Sequence, residues 1–171
     1  MNAPHANARP VPDGDSEKPI AAAFALPTGY TLREFSIADY DQAIALWRSC
    51  EGIGLNDSDT RDAINGFVAR NTGLSFVIEH TGTERTIVGT LLCGHDGRRG
   101  CLYHLAVAAS HRRRGLSRAL VDTCLSRLRR LGIVKCNLFL IATNHPGRAF
   151  WLKHGWSARE DLVVIQQVLL P

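Results

Sequence analysis

SHRRRGLSRALV, residues 110–121, sets three consecutive arginines in front of Gly115 and runs directly into an apolar-periodic helix. A strand ending in LAV (residues 105–107), a short loop and a helix with glycine at its first turn bring several free backbone N–H groups to one point. The unpaired first-turn donors and the positive end of the helix dipole act together there, so the junction reads as an anion site. Gly115 lets a phosphate approach the backbone, and Arg112, Arg113 and Arg114 neutralise it and fork onto its oxygens. The bland alternative is a solvated face, but cations beside the positive end of a dipole are unfavourable without an anion.

Downstream of this junction, Leu116, Leu120, Cys124, Leu125, Leu128 and Leu131 form a helical stripe that ends at Gly132. KCNLFLIA (135–142) reads as a strand, NHP (144–146) opens a short helix that stops at Gly155, and DLVVIQQVLL (161–170) reads as a final strand. Upstream, GLSFVIEH, TIVGTLLCGH and GCLYHLAVA are β-rich runs joined by the turns TGTER and DGRR, which predicts an antiparallel meander. TLREF (31–35) alternates as a first strand. SIADYDQAIALWRSC follows as a helix with Ser36 and Asp39 in capping-box spacing, and a second helix runs from about Asp59 to Arg70. The resulting order, β-α-α-β-β-β-α-β-α-β, is that of a mixed α/β sheet.

A chain of 171 residues is long enough for one self-sufficient core. Residues 1–28, rich in Pro, Ala, Asn and Gly and lacking periodicity, read as a flexible tail, and the domain occupies residues 29–171. Lys and Arg (20) barely exceed Asp and Glu (16), and no basic stripe is interleaved with aromatics, which argues against nucleic acid as the partner. Five cysteines without a C-x-x-C pair read as reduced core thiols, and no metal site is indicated. No apolar run approaches the ~18 residues of a membrane helix, and acidic residues precede the short run IAAAFAL, so the expected location is cytoplasmic. There is no GK[ST], and GIGLND (52–57) lacks the third glycine of a dinucleotide fingerprint.

LAVAASHRRRGLSRAL resembles the acetyl-CoA-binding motif R/Q-x-x-G-x-G/A of the GNAT acyltransferases. NHPGRAFWLKHGW is similar to their later N-x-x-x-x-A-F-Y-x-x-x-G-F segment. The resemblance spans about residues 30–171 and is to the small single-domain bacterial type. It implies a mostly antiparallel sheet splayed between the fourth and fifth strands, with acetyl-CoA as co-substrate. By the same resemblance Arg112, Arg113, Arg114, Gly115, Leu116 and Ser117 would give backbone amides to the pyrophosphate. Leu105, Ala106 and Val107 would pair with the pantetheine arm, Asn144 would hydrogen-bond near it, and Phe150 would pack beneath it. Ser117 stands where the motif has a second glycine or alanine. Trp151, in the same cofactor-side set, stands where many members carry the tyrosine that protonates the departing thiolate, and an indole is no usable acid.

Transfer to an amine requires loss of a proton from an ammonium of pKa ~10.4. Candidate bases are His104 on the fourth strand, Glu79 at the end of the second and His95 at the end of the third, with Tyr103 a further proton-handling group. His104 is the first choice, because it lies beside the segment that should hold the thioester and imidazoles titrate near neutrality. A strand histidine is also a common structural donor, and Glu79 alternatively only lines a turn. Asp57 and Asp59, with Glu51 nearby, sit in the loop between the first two helices, where they would attract a cationic acceptor or simply cap the second helix. His95, beside the turn GHDGRRG, is a second acceptor-side residue. The expected activity is acetyl transfer from acetyl-CoA to a primary amine, on a small molecule or a protein, by direct attack in a ternary complex. The alternative is an acyl-CoA-binding or sensor protein with little turnover. The apolar final strand would suit an edge that pairs between two subunits of a homodimer.

Overall fold

The computed structural model describes residues 26–82 and 84–169. The expected tail, residues 1–28, falls almost wholly outside the described residues, although Leu26 already packs against the main apolar cluster. In chain order the elements are β1 (Tyr30–Glu34), α1 (Tyr40–Ser49), α2 (Arg61–Arg70), β2 (Phe76–Thr81), β3 (Arg85–His95), β4 (Gly100–Val107), α3 (Leu116–Arg130), β5 (Cys136–Leu138) and α4 (His145–Lys153). Short 3-10 turns occupy Ile37–Asp39, Asp57–Asp59 and Ala109–His111.

The strands lie side by side in sequence order. Neighbours from β1 to β4 are antiparallel, as the short turns between β2, β3 and β4 require, whereas β4 and β5 are parallel because α3 crosses over between them. The helices cover both faces. Ala43, Leu46 and Trp47 of α1 and Ile64 of α2 pack with Val77, Ile87, Leu92 and Ala106 on one face. Leu116, Leu120, Cys124 and Leu128 of α3 and Trp151 of α4 pack with Ile78, Leu91, Leu102 and Val107 on the other. Lying between two layers, β3 is buried continuously from Ile87 to Gly94, which explains why TIVGTLLCG lacks the alternation of a half-exposed strand.

Local signals in the first helical region are realised closely. Ser36 and Asp39 form the expected capping box, and Arg33 grips both Asp39 carboxylate oxygens at 2.7 Å and Glu79 at 2.6 Å. Burial opposes ionisation of Asp39, but the bonds from Arg33 and from the Ser36 N–H outweigh it and hold the carboxyl below its usual range. The second helix begins two residues later than expected, at Arg61, because Thr60 rather than Asp59 caps it through the Ala63 N–H.

The expected strand at residues 135–142 is only Cys136–Leu138, and the expected final strand at 161–170 is not formed over its described part. Leu162, Val163, Val164, Ile165, Val168 and Leu169 are all more than 60% exposed. An apolar β-rich run becomes a strand only when a neighbouring ladder accepts its backbone groups. Among the described residues the sheet ends at the three-residue β5.

Arg33→Met should lower the unfolding free energy by about 2 kcal/mol, because it leaves the buried Asp39 and the partly buried Glu79 carboxylates unpaired. Asp39 has a depressed folded pKa, so its contribution is complete above the ordinary carboxylate range and is lost as pH falls through that range. Urea unfolding at about pH 7 and about pH 3 should therefore show the parent and variant converging on the acid side.

Candidate functional site

The register of β3 on β4 slips between Thr90↔Ala106 and Leu92↔Tyr103, so that Leu91 opposes two residues, His104 and Leu105. His104 takes a left-handed conformation with φ 52°, which costs a non-glycine residue on the order of 1 kcal/mol. The bulge turns two consecutive side chains to the same face. Tyr103 meets Phe67 of α2 edge-on at 5.7 Å, and His104 lies 4.4 Å from the Trp47 ring of α1. Thr90, fully buried opposite the bulge, accepts the Trp47 indole N–H at 2.7 Å and donates to the His104 carbonyl at 3.1 Å.

The same bulge aims His104 Nε2 at Asp59 Oδ1, 2.6 Å away. Asp59 is held by its own turn: Oδ2 accepts the Asn56 N–H at 2.9 Å, and the Asp59 carbonyl accepts the Tyr40 hydroxyl at 2.8 Å. An ionised carboxylate only accepts, so Nε2 carries a proton, and in the neutral ring this selects the tautomer in which Nδ1 keeps its lone pair. Among the described residues Nδ1 has no hydrogen-bond partner. This is the arrangement of a positioned base: one nitrogen oriented by a buried carboxylate, the other free to accept a proton.

The other sequence candidates separate. Glu79 is committed to Arg33 and leaves the set of bases. Asp59, expected to attract a cationic acceptor, is buried against His104 instead, while Asp57 remains exposed in the same loop. Tyr103 and His95 line a cleft of about 410 Å³ beside the bulge. Partial burial and the neighbouring Cys101 push the Tyr103 phenol up, so it stays protonated near neutrality. Burial likewise raises the thiols of Cys101 and Cys136, the latter to about 12, which excludes either as a ready thiolate nucleophile.

Pairing of β4 with β5 stops at Leu102↔Leu138, so residues 103–107 of β4 border an opening in the sheet. At its end Arg113 (φ 60°) and Gly115 (φ 79°) are both left-handed, a curled geometry of the kind that forms anion-binding concavities. No side chain caps α3, and its first intrahelical bond is from the Ala119 N–H to the Gly115 carbonyl, which leaves the N–H groups of Leu116, Ser117 and Arg118 at an open helix end. Leu116 anchors this end in the core at 1% exposure. Arg112 spends Nε on the Val107 carbonyl, and among the described residues no carboxylate pairs with Arg112, Arg113 or Arg114.

Across the opening, Asn144 caps α4 by accepting the Gly147 N–H at 2.8 Å and packs closely on Gly52, leaving its amide N–H₂ without a partner among the described residues. Phe150 is half-buried against His154. Trp151 is 8% exposed and packs within the core against Trp156. Sequence reasoning missed Thr90, Phe67 and Arg70 as parts of this region. A hydroxyl amid the apolar run TIVGTLLC was the one available signal.

Residues 40–156 match the sequence model of the acetyltransferase (GNAT) family. An acetyltransferase of Sodalis glossinidius is 26% identical over 139 residues, covering 81% of this chain and 95% of its own. Among solved structures, Ard1 from Thermoplasma volcanium superposes with a TM-score of 0.65 at 22% identity, covering 75% of this chain and 82% of that one. The PaiA N-acetyltransferase from Thermoplasma acidophilum, in complex with coenzyme A, gives 0.66 at 16% identity, covering 76% and 91%.

His111, in the turn before the arginines, bonds Tyr30 Oη through Nδ1 at 2.7 Å and lies 4.9 Å from the His80 ring. Partial burial first, then His80 and Arg114, hold its imidazole below the ordinary range. A depressed folded pKa means that its stability contribution is complete above about pH 6.5 and is lost as pH falls. Unfolding free energy should drop between about pH 7 and about pH 5.5, and His111→Phe, which cannot titrate, should flatten that drop.

Proposed function

Starting from the chain's membership of the GNAT acetyltransferase family, we propose that it transfers an acetyl group from acetyl-CoA to a primary amine by direct attack, with His104 as the general base. The observation that carries this reading is the His104–Asp59 pair, held at the bulge of β4 where the sheet opens toward β5. The residues fit the co-substrate. The uncapped start of α3, the unpaired arginines and the space around Gly115 suit a pyrophosphate, and the β4 segment Leu105–Val107, laddered to β3 at Ala106 and Val107 but unpaired on the β5 side, suits an amide-bearing arm.

His104 Nδ1 takes one proton from the ammonium form of the acceptor and passes it to solvent. The neutral amine then attacks the thioester carbonyl, forming the C–N bond. Backbone N–H groups at the β4 bulge stabilise the oxyanion as the tetrahedral adduct forms. Its collapse breaks the C–S bond, and the second amine proton, taken by His104, returns to the sulfur. The balance is one amide, one thiol and one proton released to water. A thiol of pKa ~8.5 is a tolerable leaving group, so the position of Trp151 in the core does not prevent turnover. Tyr103, a neutral phenol on the same face as His104, is a hydrogen-bond donor for the departing sulfur.

Calorimetric titration tests the first half of this reading. Acetyl-CoA should bind the parent and Gly115→Asn, whose residue tolerates a left-handed backbone, and should fail to bind Gly115→Glu, whose carboxylate would occupy the phosphate position. His104→Gln should lower kcat by about 10²- to 10⁴-fold while leaving acetyl-CoA affinity unchanged. Tight binding without thiol release across a broad amine panel would instead leave an acyl-CoA-binding protein.

A further inference from the structure

The cleft beside the bulge has a chemistry that the transfer reaction does not itself require. One wall is aromatic, Phe67 against Tyr103. The other is cationic: Arg70, at the end of α2, and Arg99, in the turn between β3 and β4, both line it. Among the described residues neither arginine has a carboxylate partner. Asp96 lines the cleft too: its Oδ1 accepts the backbone N–H groups of Arg98 and Arg99 at 2.7 Å each, which keeps it ionised, so the cleft sets one carboxylate against two guanidinium groups. His95 Nδ1 accepts the Gly97 N–H at 3.0 Å, which places the ring proton on Nε2 and makes this histidine a donor as well.

The floor of the cleft is built for close packing. A Cβ at Gly94 would come within 2.8 Å of Asn71 Cγ and Phe67 Cζ, so only glycine lets the end of α2 settle on β3. Asn71 then spends its amide on the Phe67 carbonyl and its oxygen on the His95 N–H, which joins the two walls. Its volume of about 410 Å³ suits a small molecule. Tyr103 lines the cleft and His104, just outside it, is the next residue on the same face, so a ligand that extends past Tyr103 would bring its far end to the candidate base.

We infer that the acceptor is a small amine that also carries an anionic group, carboxylate or phosphate, which docks between Arg70, Arg99 and the His95 donor while its amine faces His104. This rests on the acetyltransferase reading and narrows its substrate class. Two guanidinium groups and an imidazole N–H match the oxygens of either anion, and the aromatic wall accommodates the methylenes between anion and amine.

The test compares acceptors matched in length: ω-amino acids against n-alkylamines, and O-phosphoethanolamine against ethanolamine, with thiol release as readout. The anionic member of a pair should have the higher kcat/KM by about 10- to 100-fold, and which pair shows the larger ratio assigns carboxylate or phosphate. The Arg70→Met/Arg99→Met double variant should erase that preference through KM and leave acetyl-CoA affinity and neutral amines unchanged. Both arginines are exposed, so the fold should survive, and circular dichroism verifies this. In parallel, N-acetylated ω-amino acids and inorganic phosphate are titrated into parent and double variant without acetyl-CoA. Turnover with no charge preference, or a preference that persists in the double variant, overturns the inference and leaves the acetyltransferase reading standing. Anion binding that depends on both arginines, with no amine acetylated, supports the anion site and overturns the transfer reading.

Discussion

One hydroxyl, buried in the middle of the sheet, organises the site. Thr90 takes the indole N–H of Trp47 and gives its own proton to the carbonyl of His104, so a helix, the central strand and the bulged strand meet at a single oxygen. A left-handed histidine is a strained residue that persists only where surrounding bonds over-determine it. Here the strain places Tyr103 and His104 on one face and sets His104 against Asp59. The core and the candidate chemistry are thus parts of one hydrogen-bonded arrangement.

Charge is placed with similar economy. Arg33 is spent internally, joining β1, the start of α1 and β2 through Asp39 and Glu79, and this removes from the acceptor side a carboxylate that the linear sequence made a candidate base. The arginines at the start of α3, and Arg70 and Arg99 beside the bulge, have no such partners among the described residues. One chain therefore offers two cationic places, one at an open helix end and one at a cleft. The first suits a pyrophosphate by backbone geometry, and the second would act through side chains alone. Under the proposed function, such a division would let the co-substrate site stay constant while the acceptor cleft varies.

Much of the fold was legible because its signals are local. The capping box at Ser36 and Asp39, the helical stripe from Leu116 to Leu128, the turns of the meander and Pro146 after Asn144 each act within a few residues, and each appears in the structure. The readings that failed were non-local. Residues 161–169 have the composition of a strand, but pairing depends on a neighbour that composition does not supply. Glu79 looked available because its partner lies 46 residues away.

The sequence by itself determined the element order as far as α4, the glycine-led, uncapped start of α3 and the candidacy of His104, since periodicity, caps and glycine placement are written along the chain. Only the tertiary structure decided that Asp59 orients His104, that Thr90 pins the bulge, and that Arg70 and Arg99 border a cleft beside it. Those pairings join residues 45, 14 and 29 positions apart respectively. Their geometry depends on a one-residue slip between β3 and β4, and such a slip has no signature in the order of residues because it arises from how two strands and a helix pack together.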